Sequence, residues 1–377
     1  MKAKILMAIM VIIGFSITSI AAPSVDFSWT PSNPTDLQDV HFIDESQGNI
    51  IAWMWYFGDG NSSIQQNPWH RYEDDGTYQV RLVIILENGS ILSLTKTITI
   101  ANVAPHAIIG GAKLYNESNI TFVSASYDDD GSISSCHWEF GDGNTSNGCI
   151  VTHEYGKDGI YVVNLTVYDD DGASNKTNAT IILDTLPPST LYNISCEGWC
   201  KSDVEVELNA TDNLSGVDYT RYKIDDGDWH IYNKTIEIKS EGVHKLYFYS
   251  VDKAGNIEGE KNVTIKIDKT KPSVELVTPK QGYLYIANRQ IMPTLFHRTI
   301  IIGKFNATVN AHDDTSGIDY VKFILNGQPL WTDYASPYNA ELPQELPASF
   351  SNTLKVIAYD NAGNYKESNE ITYIKIA

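Results

Sequence analysis

A chain of 377 residues is too long for a single all-β sandwich and fits three or four domains. Hydrophobic residues make up 42% of the chain, which is ample for ordinary cores and excludes a disordered chain. The formal net charge of −20 argues against binding to nucleic acid or to an anionic membrane, because both require a cationic protein surface. We therefore expect several folded domains with an acidic surface and no nucleic-acid partner.

The N-terminus has the pattern of a secretory signal peptide. Lys2 and Lys4 precede an apolar run over residues 5–20, and Ala21 follows in a context of small residues. We predict removal of residues 1–21, since cleavage one residue later would leave a proline next to the cut. The alternative is an uncleaved N-terminal anchor. No second apolar span follows, so we expect no transmembrane segment after cleavage and a secreted or cell-surface, extracytoplasmic location.

Residues 22–101 and 104–183 are two copies of one sequence unit. WYFGDGNSS at 55–63 returns as WEFGDGNTS at 138–146, an offset of 83 residues. The same offset carries HRYEDDGTYQV into HEYGKDGIYVV. A two-part motif repeated in one register predicts two domains of the same fold.

The Gly-Asp-Gly segment of each copy predicts a tight turn. Trp55 and Phe57 are two residues apart on one strand and so face the same core. Gly58-Asp59-Gly60 then supplies the positive φ angles of a two-residue hairpin. We interpret Asp59 and its copy Asp142 as turn residues, because a hairpin tip offers a catalytic carboxylate neither a partner nor a pocket.

The pattern W-x-F-G-D-G followed by H-x-Y-x-x-x-G-x-Y-x-V resembles the polycystic-kidney-disease (PKD) domain family in both copies. The resemblance implies a seven-stranded Ig-like β-sandwich and an extracellular interaction role. Tyr78 resembles the tyrosine of an Ig corner, which anchors the loop before it, and Val80 takes the place of the usual cysteine.

The four cysteines fall in two close pairs, which is typical of disulfides in an oxidising compartment. A two-residue turn at the Gly-Asp-Gly of the second copy places Cys136 directly opposite Cys149, within disulfide reach. Cys196 and Cys200 are predicted to close a small local loop. The alternative for this second pair is a metal site, which would need another cysteine or histidine pair nearby in sequence.

The second half of the chain contains another related pair, and proline-containing linkers, DTLPP and DKTKP, open its domains 184–268 and 269–377. NATDNLSGVDY is echoed by NAHDDTSGIDY, and VDKAGN by YDNAGN. This half resembles the bacterial and archaeal Ig-like domains that end a strand on Y-x-x-D-x-A-G-N.

Residues 280–304 are the least regular stretch of the last domain. Their apolar side chains suit an exposed binding loop or, as we expect, an edge hairpin packed over the sandwich. The predicted fold is all-β, with tandem Ig-like β-sandwich domains after the signal peptide.

Asn-x-Ser/Thr sequons are more frequent than the roughly four that composition predicts by chance. Their number favours a glycosylated surface, although an Asn- and Thr-rich β composition explains part of it. The fourteen candidates are Asn61, Asn88, Asn116, Asn119, Asn144, Asn164, Asn175, Asn178, Asn193, Asn209, Asn213, Asn233, Asn262 and Asn306.

Two YDDDG segments of the second copy are expected in the loops that join strands B to C and F to G, which emerge at one end of an Ig-like sandwich. Aspartates that converge there repel one another, and a calcium ion would turn that repulsion into cross-linking. The predicted ligands are Asp128, Asp130, Asp169 and Asp171. The alternative is that Asp and Gly simply form turns in solvated loops.

The sequence contains no pattern typical of a catalytic site, neither His-Glu-x-x-His nor Gly-x-Ser-x-Gly nor a phosphate-binding glycine loop. We predict a non-catalytic structural or adhesion protein that contacts extracellular protein or polysaccharide at the cell surface. The alternative is an accessory or substrate-binding subunit of a secreted hydrolase system. Exposed coplanar aromatic rings on one sheet face would favour the alternative, and the candidates are Trp69, Trp199, Trp229 and Trp331.

Overall fold

The computed structural model describes residues 22–344 and 351–376, and the predicted signal peptide at 1–21 lies outside them. The chain divides into two compact units, one that ends at Leu183 and one that begins at Asp184. Each unit contains two β-sandwiches with separate hydrophobic cores. The prediction of an all-β chain of tandem Ig-like sandwiches is confirmed.

The first sandwich has seven strands: β1 (Phe27–Thr30), β2 (Val40–Asp44), β3 (Ile50–Tyr56), β4 (Ser62–Ser63), β5 (Trp69–His70), β6 (Gly76–Leu86) and β7 (Ile91–Ile100). A sheet in the order β1-β2-β5 packs on a sheet in the order β4-β3-β6-β7. Apolar residues alternate along β6 because only one of its faces meets the core. Trp55 is fully buried at the centre, with ring centroids 5.1 Å from Phe27 and 5.6 Å from Phe42.

The second sandwich repeats this arrangement with eight strands: β8 (Ile109–Gly110), β9 (Leu114–Tyr115), β10 (Asn119–Ser124), β11 (Ile133–Glu139), β12 (Thr145–Asn147), β13 (Ile150–Glu154), β14 (Gly159–Asp169) and β15 (Ser174–Leu183). Its sheets have the orders β13-β10-β8 and β12-β11-β14-β15-β9. Trp138 takes the central place of Trp55 and is likewise fully buried.

The Gly-Asp-Gly turns are one residue longer than predicted. Phe57 N donates to Asn61 O at 3.1 Å and Phe140 N donates to Asn144 O at 3.0 Å, so three residues lie between the bonded pair in each copy. The aspartate side chain stabilises this wider turn, because its Oδ1 accepts the backbone N–H two residues on. The glycine before it is required, since a Cβ at Gly141 would lie 2.6 Å from Val162 O.

The longer turn shifts the register that we predicted for the cysteines. Gly148 N donates to Cys136 O at 2.9 Å, so Gly148 and not Cys149 lies opposite Cys136. The predicted disulfide between Cys136 and Cys149 still forms, with Cα atoms 5.0 Å apart. It forms because Cys149 lies between the end of β12 and the start of β13, where the chain passes from one sheet to the other.

A hydrogen-bonded bridge takes the place of that disulfide in the first copy. Trp53 and Gln66 occupy the positions of the two cysteines. Trp53 Nε1 and Gln66 Nε2 both donate to Asp44 Oδ2, at 2.6 and 3.2 Å. The two copies thus join the same two positions by different chemistry.

The third sandwich has the strands β16 (Ser189–Ile194), β17 (Trp199–Cys200), β18 (Val204–Thr211), β19 (Val217–Ile224), β20 (His230–Ile231), β21 (Ile236–Ile238), β22 (Gly242–Asp252) and β23 (Lys261–Ile267). Its sheets have the orders β16-β18-β21 and β17-β23-β22-β19-β20. The predicted disulfide between Cys196 and Cys200 is present beside its core.

The fourth sandwich has the strands β24 (Ser273–Thr278), β25 (Tyr283–Ile286), β26 (Arg289–Pro293), β27 (Thr299–Ile302), β28 (Asn306–His312), β29 (Ile318–Leu325), β30 (Gln328–Asp333), β31 (Tyr338–Glu341), β32 (Asn352–Asp360), β33 (Tyr365–Glu367) and β34 (Ile371–Ile376), with a 3-10 turn at Leu295–His297. Its small sheet has the order β24-β28-β31. Its large sheet has the order β26-β25-β27-β34-β32-β29-β30, and β33 pairs with β32.

The irregular segment of the fourth sandwich forms the predicted hairpin at the edge of the large sheet, but the prediction that it packs over the sandwich is only partly correct. Tyr285 of β25 is buried in the core, whereas all five residues of β26 are exposed. Leu295 is 83% exposed and Phe296 is 90% exposed just beyond it. The hairpin therefore presents apolar side chains to solvent instead of packing all of them over the sandwich.

Candidate functional site

The aspartate of each Gly-Asp-Gly turn has a histidine partner, contrary to our expectation. Asp59 Oδ2 lies 2.6 Å from His70 Nε2, and Asp142 Oδ2 lies 2.8 Å from His153 Nε2. The expectation was wrong because the histidine comes from a strand eleven residues further along the chain, which only the folded sandwich places beside the turn. The prediction that these aspartates are turn residues is unaffected.

Aromatic packing fixes the histidine in the first copy. Phe57 stacks on the His70 ring with centroids 4.1 Å apart, and Tyr72 meets it edge-on at 4.7 Å. Tyr72 Oη donates to Phe57 O at 3.1 Å, and burial raises the pKa of Tyr72. The repeated His and Tyr positions thus hold the strand and its turn together.

Charge and hydrogen bonding keep Asp59 ionised. Burial of Asp59 by itself raises its pKa, but hydrogen bonds from Asn61 and His70 outweigh burial and hold that pKa below its usual value. Asp142 shows the same balance with Asn144 and His153. In both copies these hydrogen bonds occupy both carboxylate oxygens and stabilise the turn.

The predicted Ig corner is present in both copies. Tyr78 Oη donates to Asp74 O at 3.0 Å, and Tyr161 Oη donates to Lys157 O at 2.7 Å. Each tyrosine therefore anchors the loop that precedes its strand.

A second group of carboxylates lies at the junction of the first two sandwiches. Thr35 forms a parallel bridge with Ala101, and Ala101 N donates to Pro34 O at 2.9 Å, so Asp36 runs beside Asn102. Asn102 Nδ2 in turn donates to Asp169 Oδ2 at 3.1 Å.

The next linker residue reaches the other acidic loop of the second sandwich. Val103 N donates to Asp130 Oδ2 at 2.7 Å. The linker therefore contacts both acidic loops of the second sandwich, and the Asp36 carboxylate lies close enough to that of Asp130 for the two to interact. We call the set Asp36, Asn102, Asp128, Asp130 and Asp169 the junction cluster.

The junction cluster contains buried acceptors that lack donors. Asp36 is only 6% exposed. Four buried oxygen atoms have no hydrogen-bond partner: Asp36 Oδ1, Asn102 Oδ1, Asp128 Oδ2 and Asp130 Oδ1. All four are acceptors, but no three carboxylates of the cluster offer oxygens that all lie within 4.8 Å of one another.

The electrostatics of the junction cluster are those of crowded like charges. Burial, followed by the charge of Asp130, raises the pKa of Asp36. Burial, followed by the neighbouring Asp130 and then Asp169, raises the pKa of Asp128 to about 6. Among the residues that the structure describes, no lysine, arginine or histidine forms an ion pair with the carboxylates of this cluster.

Three of the four predicted calcium ligands belong to the junction cluster. Asp171 lies instead with Asp74 and Asp75 of the first sandwich, where each offers an oxygen within 4.8 Å of the others. Asp74 and Asp171 are exposed. The structure therefore separates Asp171 from the buried group, and its role as a ligand stays a prediction.

The sequence analysis did not anticipate two further carboxylate groups. Asp184, Asp212 and Asp252 converge in the third sandwich, and one ligand atom of each lies within 4.8 Å of the other two. Their fourth-sandwich equivalents Asp268, Asp313 and Asp360 do the same. The sequence did contain a signal for these groups. Each group consists of the aspartate of a proline-containing linker, the first aspartate of a D-x-x-S-G motif and the aspartate of a D-x-A-G-N motif.

Hydrogen bonds already occupy much of these groups. In the fourth sandwich Asp313 Oδ1 accepts three backbone N–H groups, from residues 315 to 317. Asn364 donates to both oxygens of Asp360. Burial, and then the charges of Asp268 and Asp313, raise the pKa of Asp360. These contacts fix the loops at the start of the sandwich.

The tryptophan candidates do not form one surface. Trp69 is 63% exposed but stacks on His41 with centroids 4.3 Å apart, and Trp331 is 58% exposed in the fourth sandwich. Trp199 and Trp229 are half-buried.

Tyrosines form an aromatic row on the fourth sandwich. Tyr320 and Tyr359 stack at 4.7 Å with an interplanar angle of 28°, and Tyr334 and Tyr365 flank them at 5.6 and 5.5 Å. Because neighbouring rings lean on one another, they do not make a coplanar platform.

The sequon asparagines are exposed except for Asn164, which is half-buried. Asn61 and Asn144 use their side-chain amides to hold the turn aspartates, at 3.0 and 2.9 Å. Glycosylation at these two positions would compete with that bond, and glycosylation at any of the fourteen stays a prediction. Among the described residues, no helix is both long and apolar enough to cross a membrane.

Sequence comparison places the first half of the chain in a known family. The PKD domain family model matches residues 21–101 and 102–182. The chain is 32% identical over 131 residues to the pre-pro-metalloprotease PrtV of Vibrio cholerae, covering 34% of this chain and 14% of that protein. It is 35% identical over 128 residues to the collagenase ColA of Clostridium perfringens, covering 33% of this chain and 11% of that protein.

The match to each relative covers far less than two thirds of that relative. Among solved structures, the PKD1 domain of Vibrio anguillarum Epp is 32% identical and covers 23% of this chain and 100% of its own, with a TM-score of 0.22. The two repeated sandwiches share the Trp core, the locked Gly-Asp-Gly turn and the tyrosine corner. The first half of the chain consists of two tandem PKD domains.

Proposed function

We propose that the chain is a non-catalytic extracellular protein, in which tandem sandwiches hold a contact surface that binds protein or carbohydrate at the cell surface. The observation that supports this most is the edge hairpin of the fourth sandwich. We define its contact surface by Ile291, Met292, Leu295 and Phe296, which are 50%, 56%, 83% and 90% exposed. Large apolar side chains grouped on a protruding hairpin are typical of interaction sites, because leaving them in water is unfavourable.

The carboxylate arrangements support the non-catalytic part of the proposal. The Asp–His pairs are packed into turns, and the groups of the third and fourth sandwiches are held by backbone N–H donors. A hydrolase would need a nucleophile or water-activating base open to substrate.

A binding assay tests the contact surface. The double variant L295S/F296S should bind polysaccharide and cell-surface protein fractions at least tenfold more weakly than the unaltered chain. I64S is the matched control, because Ile64 is 79% exposed on the first sandwich. Equal binding by all three proteins would reject the surface, and a turnover that survives repurification and is lost on replacing one Asp or His would reject the non-catalytic assignment.

An accessory or substrate-binding role beside a secreted hydrolase is the second candidate. Relatives of the PKD domains of this chain include proteins named as a metalloprotease and as a collagenase, which supports this alternative. The stacked geometry of the tyrosine row supports it less, because a sugar ring needs an open aromatic face. Y334A and Y365A should weaken polysaccharide binding if the second candidate is correct, and leave it unchanged if the hairpin is the contact surface.

We also propose that the second PKD domain binds calcium through Asp128, Asp130 and Asp169. The proposal is supported by the unpartnered oxygens of Asp128 and Asp130, since calcium takes six to eight oxygen ligands. Titration calorimetry on the whole chain should detect an ion that D128N no longer binds. Absence of binding at millimolar calcium would leave the loops as turns only.

A further inference from the structure

We propose that the edge hairpin of the fourth sandwich enters the surface of an anionic lipid bilayer, with Leu295 and Phe296 in the hydrocarbon and neighbouring cations at the lipid phosphates. The edge hairpin comprises β25, β26 and the loop over residues 294–298. The inference uses the contact surface of the proposed function and goes beyond it, because it adds a lipid leaflet to protein and carbohydrate as a partner.

The first argument is the local charge. The whole chain has a formal net charge of −20, which by itself argues against an anionic membrane. Residues 276–312, however, contain no aspartate or glutamate. Their lysines and arginines are Lys280, Arg289, Arg298 and Lys304, and all of these are exposed. Within the part of the chain that the structure describes, none of them forms an ion pair, so each stays available to a negatively charged partner.

The second argument is that apolar side chains are exposed at the same place. All five residues of β26 are exposed, so neither face of this edge strand is covered by the sandwich. Leu295 and Phe296 extend the exposed apolar surface into the loop beyond it. A flat protein surface would cover one side of such a hairpin, whereas lipid chains surround it. The contact surface also supplies only part of the roughly 800 Å² per partner that a stable protein interface buries.

The third argument is that hydrogen bonds fix the loop. Thr294 N donates to Gly282 O at 2.8 Å, and Gln281 Nε2 donates to His297 O at 2.7 Å. Thr294 Oγ1 also donates to Arg298 O. These bonds tie both ends of the loop to the start of the edge hairpin. They also pair backbone groups that would be costly to bring unpaired into an apolar medium.

Phe296 is held in a backbone conformation that bulky residues rarely adopt. Its φ is 63° and that of His297 is 52°, both in the left-handed region. This conformation is unfavourable for a residue with a Cβ, and Phe296 gains no packing in return, because it is 90% exposed. Such strain is concentrated at functional sites, and burial of the ring in lipid would offset its cost.

Two of the cations lie at the same end of the edge hairpin as the loop. Arg298 follows Phe296 by two residues, and Lys280 lies at the base, where its carbonyl oxygen accepts Thr299 Oγ1 at 3.4 Å. Their long side chains can reach the headgroups while the apolar tip lies deeper. Binding should therefore combine an electrostatic attraction that salt weakens with an apolar insertion that salt does not weaken.

Vesicle binding tests the inference. The protein is the chain without residues 1–21, because the apolar run over residues 5–20 would enter lipid by itself. Vesicles of phosphatidylcholine mixed with phosphatidylglycerol are negatively charged, and vesicles of phosphatidylcholine alone are not. In a flotation assay the unaltered chain should bind the anionic vesicles at least tenfold more tightly than the neutral ones, and added salt should reduce the difference.

Two variants separate the apolar and the charged contributions. L295S/F296S should bind anionic vesicles at least tenfold more weakly, whereas I64S, on the first sandwich, should bind as the unaltered chain does. R298Q should bind about fivefold more weakly, because one cation at an anionic lipid surface contributes about that factor. R81Q is its matched control, because Arg81 is likewise exposed, on β6. Equal losses in the variants and their controls would overturn the inference.

A dye attached at F296C distinguishes insertion from adsorption. Labelling is specific, because the native cysteines are all in disulfides. On anionic vesicles the emission of an environment-sensitive dye at F296C should shift to shorter wavelength, and that of the same dye at I64C should not. If the dye at F296C remains in water while the chain is bound, the hairpin adsorbs through charge alone and the inference fails.

The outcomes separate this inference from the proposed function. If L295S/F296S loses binding to protein and polysaccharide fractions while the unaltered chain binds neither kind of vesicle, the inference fails and the proposed function stands. If the unaltered chain binds anionic vesicles through the hairpin but does not bind the fractions, the inference holds and the proposed partners fail. If L295S/F296S matches the unaltered chain in both assays, both proposals fail.

Discussion

Replacing Asp59 with alanine should destabilise the first PKD domain. The change removes the acceptor of the Asn61 backbone N–H, the Asn61 amide and His70 Nε2, at 2.9, 3.0 and 2.6 Å. The His70 bond contributes most, because the side chains of His70 and Asp59 are only 11% and 13% exposed and the ring nitrogen would be left without a partner.

The size of the effect follows from these contacts. Losing the buried bond to His70 costs about 2 kcal/mol, and losing the two bonds from Asn61 costs about 1 kcal/mol each. The variant no longer buries a carboxylate, which offsets about 1 kcal/mol of this cost. The net loss in the free energy of unfolding is therefore about 3 kcal/mol. That free energy corresponds to about 100-fold faster hydrogen exchange at amides that open only when the domain unfolds.

Hydrogen exchange on β6, the central strand of the first domain, measures this loss in the whole chain. D142A is the matched variant. It should speed hydrogen exchange on β14 of the second domain and leave the exchange rate on β6 unchanged. The D59A penalty should also shrink in acid. Because the folded-state pKa of Asp59 is lowered, its stabilising contribution is complete above the unfolded pKa and is lost as the pH falls through the folded value. If the amides of β6 in D59A exchange at a rate within threefold of that in the unaltered chain, Asp59 does not hold the turn.

Three further predictions concern other parts of the chain. Replacing Cys136 and Cys149 by serine should destabilise the second PKD domain by about 3 kcal/mol, since the disulfide closes a loop of sequence separation 13; unchanged exchange on β14 would contradict this. In calcium-free buffer the contribution of Asp128 to the stability of the second domain should increase as the pH falls from 7 towards 4, because its folded-state pKa is raised to about 6 and the folded chain therefore binds its proton more readily than the unfolded chain. The same pH dependence of the melting temperature in D128N and in the unaltered chain would oppose the assignment. N-terminal sequencing of the exported protein should begin after Ala21, and recovery of the apolar run on the mature chain would reject cleavage.

Local patterns were sufficient to predict the fold. Alternating apolar residues, glycines at positive φ and a two-part motif repeated at offset 83 predicted sandwiches whose central residues are Trp55 and Trp138. These features succeed because strand faces and tight turns depend on residues only a few positions apart. Both disulfides were predicted for the same reason, since each cysteine pair is close in sequence.

The register around the turn was predicted incorrectly by one residue. The sequence Gly-Asp-Gly-Asn suits both a two-residue and a three-residue hairpin, and the choice depends on the bond from Asn144 N to Asp142 Oδ1 and on the approach of Val162 to Gly141. The second contact comes from a neighbouring strand. Local propensity alone therefore does not determine that register.

The sequence by itself determined the β-sandwich class, the repeats, the positions of the turns and which loops are acidic. The tertiary structure alone decided which distant side chains meet, because packing joins residues that no periodicity connects. It gave Asp59 the partner His70, placed Asp171 beside Asp74 and Asp75 of the first PKD domain, and brought Asp36 close to Asp130 of the second. The physical reason is that a carboxylate's behaviour depends on its burial and on its neighbours' charges, and both are set only when two sheets or two domains come together.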